Sequence, residues 1–217
     1  QQILSHLRRC VEDYDMIQAG DAWQWGCPEE DSLTLLYAMA KLREFYPLPF
    51  ELHAITVHPG VPEMDFAPVA ALCRELEVPY HLLQTEIFHI ILICAEEEPL
   101  FHGAKMRRGA LHGAMQERGL TKIALGHHYD DAVETFSCPS SLSRLSCFQP
   151  VTWLDRTQIT QIRPLLYCGE NLVRHTARRL SLPVVENPCP ANGNTKRQEI
   201  KELIYELQGR YPGLKSR

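Results

Sequence analysis

The 217-residue chain contains no run of about 18 uncharged apolar residues, so no membrane-spanning helix is expected. Its N-terminus, QQILSHLRRCVEDYDMI, lacks the uninterrupted apolar core of a secretory signal peptide. Eight cysteines are present, but none stand in a CxxC pair. A chain of this length folds without staples, and several cysteines fall in apolar, helix-like runs. They read as reduced core thiols of a cytoplasmic protein rather than a disulfide framework. Internal repeats and low-complexity linkers are lacking as well. Basic residues are scarce in one half only: residues 1–100 hold 5 Lys/Arg against 17 Asp/Glu, a balance of −12, whereas residues 101–217 balance at +7. The second half could therefore face a polyanion, although scattered solvated charge accounts for the same numbers.

Short β-branched or aromatic runs alternate with segments of apolar period 3.6. Helices are expected at 3–16, 31–46, 64–77, 105–118, 130–137, 169–180 and 194–210. Strands are expected at 22–26, 50–57, 79–85, 122–125, 148–154, 161–165 and 184–186, and the apolar run 87–94 fits either type. This alternation predicts an α/β fold, a parallel sheet flanked by helices with crossover connections. Ligands in such Rossmann-like folds bind beyond the carboxyl ends of the strands. Three loops qualify: Cys27–Ser32, His58–Glu63 and Gly126–Asp131.

The turn Cys27-Pro28-Glu29-Glu30-Asp31-Ser32 lies between a strand and a helix, where converging N–H groups and the helix dipole favour an anion. It nevertheless carries three acids and neither Gly nor Lys. Pro28 at the first helical position followed by acids makes a good helix start by itself. Gly126-His127-His128-Tyr129-Asp130-Asp131 closes a strand and opens a helix. Its histidines and acids could ligate a metal or move a proton, or an Asp could simply cap the helix. Lys105, Arg107 and Arg108 are expected in the first turns of a helix, the unfavourable end for cations, which suggests a use such as phosphate binding. Cys189, between Pro188 and Pro190, is a candidate thiol or metal ligand ahead of Lys196 and Arg197.

Four segments resemble a known family: DSLTLLYAMAKL, KMRRGALHGAMQERGLTKIALGHHYDDAVETF, QIRPLLYC and ENPCPANGNTKRQEIKELI. They are similar to the tRNA 2-thiocytidine synthetase branch of the PP-loop ATP pyrophosphatases. The resemblance implies an adenine nucleotide α-hydrolase-like fold, with an N-terminal helix at 1–20 and a PP-loop domain over 21–217. It implies ATP and Mg²⁺ as co-reactants, tRNA as substrate, a sulfur donor protein, and an iron–sulfur cluster held by a CxxC and a later Cys. A homodimer through the amphipathic N-terminal helix is a further expectation.

By residue, the resemblance implies catalytic roles for Asp31 and Asp131. Cys27, Asp31, Ser32, Gly126, His127, His128 and Asp130 would line the ATP site. Asp131 would bind metal, Cys189 would remain from the cluster site, and Lys105, Arg107, Arg108, Lys196 and Arg197 would meet RNA or phosphate. The chain departs from the family's SGGxDS loop: Cys27, Pro28, Glu29 and Glu30 stand where Ser, Gly, Gly and Lys are expected. Leu100 and Gly103 occupy the CxxC positions. An acid about 4 Å from a phosphate oxygen costs about 4 kcal/mol before screening at an effective dielectric near 20. The alternative is therefore a catalytically silent protein of the same fold, acting as a nucleotide- or RNA-binding scaffold.

Overall fold

In the computed structural model of the chain, the described residues are 1–25, 29–93, 99–137, 147–185, 196–211 and 213. The elements run α1 (Gln2–Asp13), β1 (Ala22–Trp25), α2 (Glu30–Arg43), β2 (Glu51–His58), α3 (Ala67–Glu75), β3 (Tyr80–Gln84) and α4 (Ile87–Ile93). They continue with α5 (Pro99–Glu117), β4 (Lys122–Ala124), α6 (Tyr129–Ser137), β5 (Val151–Leu154), β6 (Ile159–Ile162), α7 (Glu170–Arg179) and α8 (Lys196–Arg210). One six-stranded sheet has the order β3-β2-β1-β4-β6-β5. Every neighbouring pair is parallel except the β5–β6 hairpin at the edge.

Alternating side chains send each strand's apolar groups to both faces, as a parallel sheet covered on both sides requires. Leu52 and Ala54 of β2 and Ala124 of β4 join a core with Leu33, Leu36 and Met39 of α2, Val69 and Cys73 of α3 and Val173 of α7. Ile55 and Ile123, one register step away, meet Ala114 and Met115 of α5 on the opposite face. Helix α5 ends in Gly119, at φ +67°, with Leu120 N–H donating to Met115 C=O at 2.9 Å. Glycine takes this left-handed stop, common at helix C-termini, without a Cβ penalty.

Three expectations need correction, and one left open is settled. Helix α5 begins at Pro99, six residues before Lys105, because proline is favoured at a first helical position. Lys105, Arg107 and Arg108 thus lie inside the helix, and the unfavourable-dipole argument for them falls. The ambiguous run at 87 is helical. Residues 184 and 185 form no strand, and Val184 is exposed. The apolar stripe of α1 (Ile3, Leu7, Cys10, Val11) is buried in the chain's own core, which removes the reason given for dimerisation through it.

Candidate functional site

Strands β1 and β4 are neighbours, with Trp23 beside Lys122 and Trp25 beside Ala124. From β1 the chain crosses to β2 on one side, whereas from β4 it proceeds to β6 on the other. The connections diverge here, so a crevice opens at the carboxyl ends of these two strands. The first turn of α2 and the turn after β4 close on each other. A Cβ on Gly126 would lie 3.0 Å from Ser32 N and 3.1 Å from Asp31 C, so this glycine lets the two loops touch. The third candidate loop is occupied differently: His58 Nδ1 accepts from Gly60 N–H at 2.9 Å, and its ring packs edge-on against Phe66.

The histidine–aspartate motif sorts into distinct tasks. His128 N–H donates to Asp131 Oδ2 at 2.8 Å, and Asp131 N–H donates to His128 Nδ1 at 3.3 Å. This is a reciprocal capping box in which His and Asp stand where Ser and Glu are usual. Asp130 reaches across to the next helix: its Oδ2 accepts from Glu170 N–H, the first residue of α7, at 2.7 Å. Tyr129 N–H donates to Cys168 C=O at 2.9 Å, so α6 and α7 start from one anchored corner. His127 lies against Phe148, whose other neighbour is the Arg163 guanidinium, each at 4.9 Å. The helix-cap reading of the motif is therefore realised, in two separate caps.

One functional arrangement is left over. Asp31, His128 and Asp131 each offer a ligand atom within 4.8 Å of one another. His128 is buried, and its Nε2 lies 3.7 Å from Asp31 Oδ2. Burial pushes the Asp31 carboxyl up to about 6; His128 opposes the rise, and Asp131, Glu30 and Glu170 add to it. Because Nδ1 accepts a backbone hydrogen bond, the neutral ring carries its proton on Nε2, directed at Asp31. A hard divalent cation would then be taken by the two carboxylates, as Mg²⁺ prefers, with the imidazole left as cap and donor.

Acidic residues at the phosphate end of α2 are neutralised in part by α7. Arg174 Nε lies 3.7 Å from Glu30 Oε2, and its Nη2 lies 2.8 Å from Glu170 Oε1, which also meets Lys201 Nζ at 2.5 Å. Burial raises the Glu170 carboxyl, but Lys201, Arg174 and His128 outweigh it and hold the group below its usual range.

A family model described as a PP-loop domain matches residues 29–207. This chain belongs to the PP-loop domain family. The tRNA-cytidine(32) 2-sulfurtransferase of Anaeromyxobacter dehalogenans strain 2CP-C is 32% identical over 220 residues, which cover 99% of this chain and 76% of that protein. The enzyme of the same name from Cellvibrio japonicus strain Ueda107 is 33% identical over 98% of this chain and 73% of its own length. Among solved structures, the U34-tRNA thiolase NcsA of Methanococcus maripaludis with its [4Fe-4S] cluster superposes with TM-score 0.73. It is 21% identical over 98% of this chain and 74% of that one, a likeness of fold. The NH3-dependent NAD synthetase of Campylobacter jejuni superposes at 0.53 and 15% identity, over 100% of this chain and 87% of that one. The chain thus has the adenine nucleotide α-hydrolase-like PP-loop fold.

Within that PP-loop frame, Asp31, Ser32, Gly126, His128 and Asp131 converge at one crevice, with Asp130 beside it capping α7. Lys105 and Arg108 are exposed and Arg107 half-buried along α5. Cys27 and Cys189 lie outside the described residues, as do the side chains of Leu100, Lys196 and Arg197. Sequence reasoning overlooked Arg174 and the other cations of α7. The spacing of Arg174, Arg178 and Arg179 at i, i+4 and i+5 in the basic half was the signal available.

Among the described residues, no set of cysteines fits an iron–sulfur cluster. Among the described residues Cys10, Cys73 and Cys168 are buried thiols in the core, and Cys147 stands half-buried at Ala132 C=O. Gly103 sits in α5 without a sulfur to offer, and a cluster needs several thiolates together.

Proposed function

We propose that this chain acts in ATP-dependent thiolation of a tRNA base of the 2-thiocytidine type. One observation supports the reading above others: Asp31 and Ser32 of the first PP-loop turn and His128 and Asp131 of the turn after β4 meet at the carboxyl ends of β1 and β4. Relatives about one-third identical along nearly the whole chain carry the name tRNA-cytidine(32) 2-sulfurtransferase.

The base carbonyl oxygen attacks the α-phosphorus of ATP and pyrophosphate leaves. A sulfur nucleophile, delivered by a donor protein, then adds at the activated carbon, and AMP departs with the oxygen. Asp31 and Asp131 would hold Mg²⁺, which offsets charge on the phosphates. The N–H groups at the start of α2 would face the anion, and His128 Nε2 lies 3.7 Å from Asp31 Oδ2. Any homodimer would use a face other than the stripe of α1.

A second reading rests on Glu29 and Glu30, which bring negative charge to the phosphate end of α2. Arg174 is held by Glu30 and Glu170, so it compensates the acids and leaves no net cation for a nucleotide. A silent, RNA-binding member of the family accounts for that arrangement. Calorimetry with ATP·Mg²⁺, followed by mass spectrometry of tRNA incubated with ATP and sulfide, separates the two. Heat of binding and a sulfur-for-oxygen exchange in a cytidine are expected from the enzyme. Absence of heat at about 1 mM ATP, where a ligand worth about 4 kcal/mol would half-saturate, leaves only the silent reading.

A further inference from the structure

Helix α7 divides cleanly into two faces. Val173, Thr176 and Ala177 are buried, whereas Asn171, Arg174, His175, Arg178 and Arg179 are exposed and together line a groove of about 560 Å³. Spacings of three and four residues put these side chains on one broad exposed face of the helix. Arg174 is held by Glu30 and Glu170. Arg178 and Arg179 make no ion pair with any carboxylate among the described residues. Cations in a last helical turn suit the helix dipole, which accounts for two arginines near the end of α7. It does not account for their lining one groove with His175 and Asn171.

The placement is informative. Because α7 starts at Glu170, bonded to Asp130, the face begins beside the crevice and runs outward for about 14 Å at 1.5 Å per residue. Helix α7 packs beside α2 and α1, so its first turn lies next to the acids that open α2 and its unpaired arginines lie farther along the flank.

We infer that the outward face of α7 is an RNA docking surface, in which Arg178 and Arg179, with His175, take backbone phosphates of the tRNA whose base enters the crevice. The inference rests on the thiolation reading for the identity of the polyanion. RNA is favoured over an acidic protein because the groove offers guanidinium and amide donors in a row and no apolar anchor. Guanidinium binds phosphate bidentately, and such contacts supply salt-dependent affinity.

The test compares the unmodified chain with Arg178→Gln/Arg179→Gln and, as a charge-matched control, Arg8→Gln/Arg9→Gln on exposed α1. Binding of tRNA is followed by fluorescence anisotropy across salt concentrations, and thermal melting confirms that each variant folds. If the α7 double variant does not fold, Arg178→Gln alone takes its place. The α7 variant is expected to bind about tenfold more weakly at ~0.1 M salt, with a salt slope reduced by about 1 for each lost contact. The control should retain the original slope, and ATP-induced heat should be the same in all three proteins. Equal slopes in all three, or equal losses in both variants, would overturn the docking surface and leave the thiolation reading standing. No tRNA binding by the unmodified chain would sink both.

Discussion

At the residue scale, Asp31 carries the most unusual chemistry of the chain. A carboxyl of ordinary unfolded pKa near 3.9 that reaches about 6 in the fold holds its proton more tightly when folded. Ionisation therefore opposes folding. The penalty is absent at about pH 4, grows as pH rises, and is complete above about pH 6. Asp31→Asn should be more stable than the parent at pH 7 and no more stable at about pH 4. With the side chain 38% exposed, solvent screening reduces the gain to about 1 kcal/mol. Denaturant midpoints at the two pH values measure it, and an unchanged pH dependence in the variant would refute the assignment. The same carboxylate predicts that Mg²⁺ raises the melting temperature of the parent at pH 7, does so weakly at pH 5, and leaves Asp31→Asn unaffected. A half-buried acid whose ionisation is opposed first by burial and further by a neighbouring acid suits a cation, since the cation offsets both costs.

At the element scale, the turn into α6 asks whether His128 and Asp131 are there for the helix or for chemistry. The capping box accounts for both backbone bonds, and each cap contributes about 1 kcal/mol. His128→Ala and Asp131→Ala should each cost about that much. The double variant should cost less than their sum, because either loss undoes the reciprocal pair. Asp131→Asn keeps an acceptor oxygen for the His128 N–H but loses the charge. It should therefore melt close to the parent while losing its response to Mg²⁺. Equal destabilisation by Asn and Ala would show that charge at the helix start, and not the hydrogen bond, stabilises α6. Glu30 and Asp31 raise the same question in the first turn of α2. There the acids favour the helix dipole, and Glu30 is also tied to Arg174, so the helix is stabilised by side chains where a bound anion would otherwise act.

At the scale of the whole molecule, much of the layout was legible in the sequence because periodicity encodes burial. Leu52, Ala54 and Ile55 announce a strand covered on both faces, and the stripe Ile3, Leu7, Cys10 and Val11 announces one buried helix face. What covers each face is not encoded locally. The α1 stripe reads equally as a dimer surface or as core, and only the packed chain decides between them. The start of α5 was missed because Pro99 follows a run of three glutamates that resembles a break. The cations of α7 were missed because an ion pair such as Arg174–Glu30 joins residues far apart in sequence. The same holds at the crevice: Asp31 and Asp131 each look like helix-start acids until the sheet order sets β1 beside β4. The packed chain also seats the apolar stripe of α1 in the main core. Leu7 and Val11 are fully buried, Cys10 Sγ lies 3.7 Å from Arg163 C=O, and Tyr167 Oη donates to Asp13 at 3.0 Å. Helix α1 thus buttresses the 163–168 segment whose Cys168 carbonyl anchors the start of α6. Leu7→Ala should cost about 3–5 kcal/mol, the range for a fully buried leucine with a poorly collapsing cavity. Because that segment leads directly to the crevice, the variant should also weaken the Mg²⁺-induced rise in melting temperature. Removal of residues 1–20 should abolish cooperative unfolding altogether. Cooperative melting of the 21–217 fragment near the temperature of the full chain would show instead that the domain closes without α1.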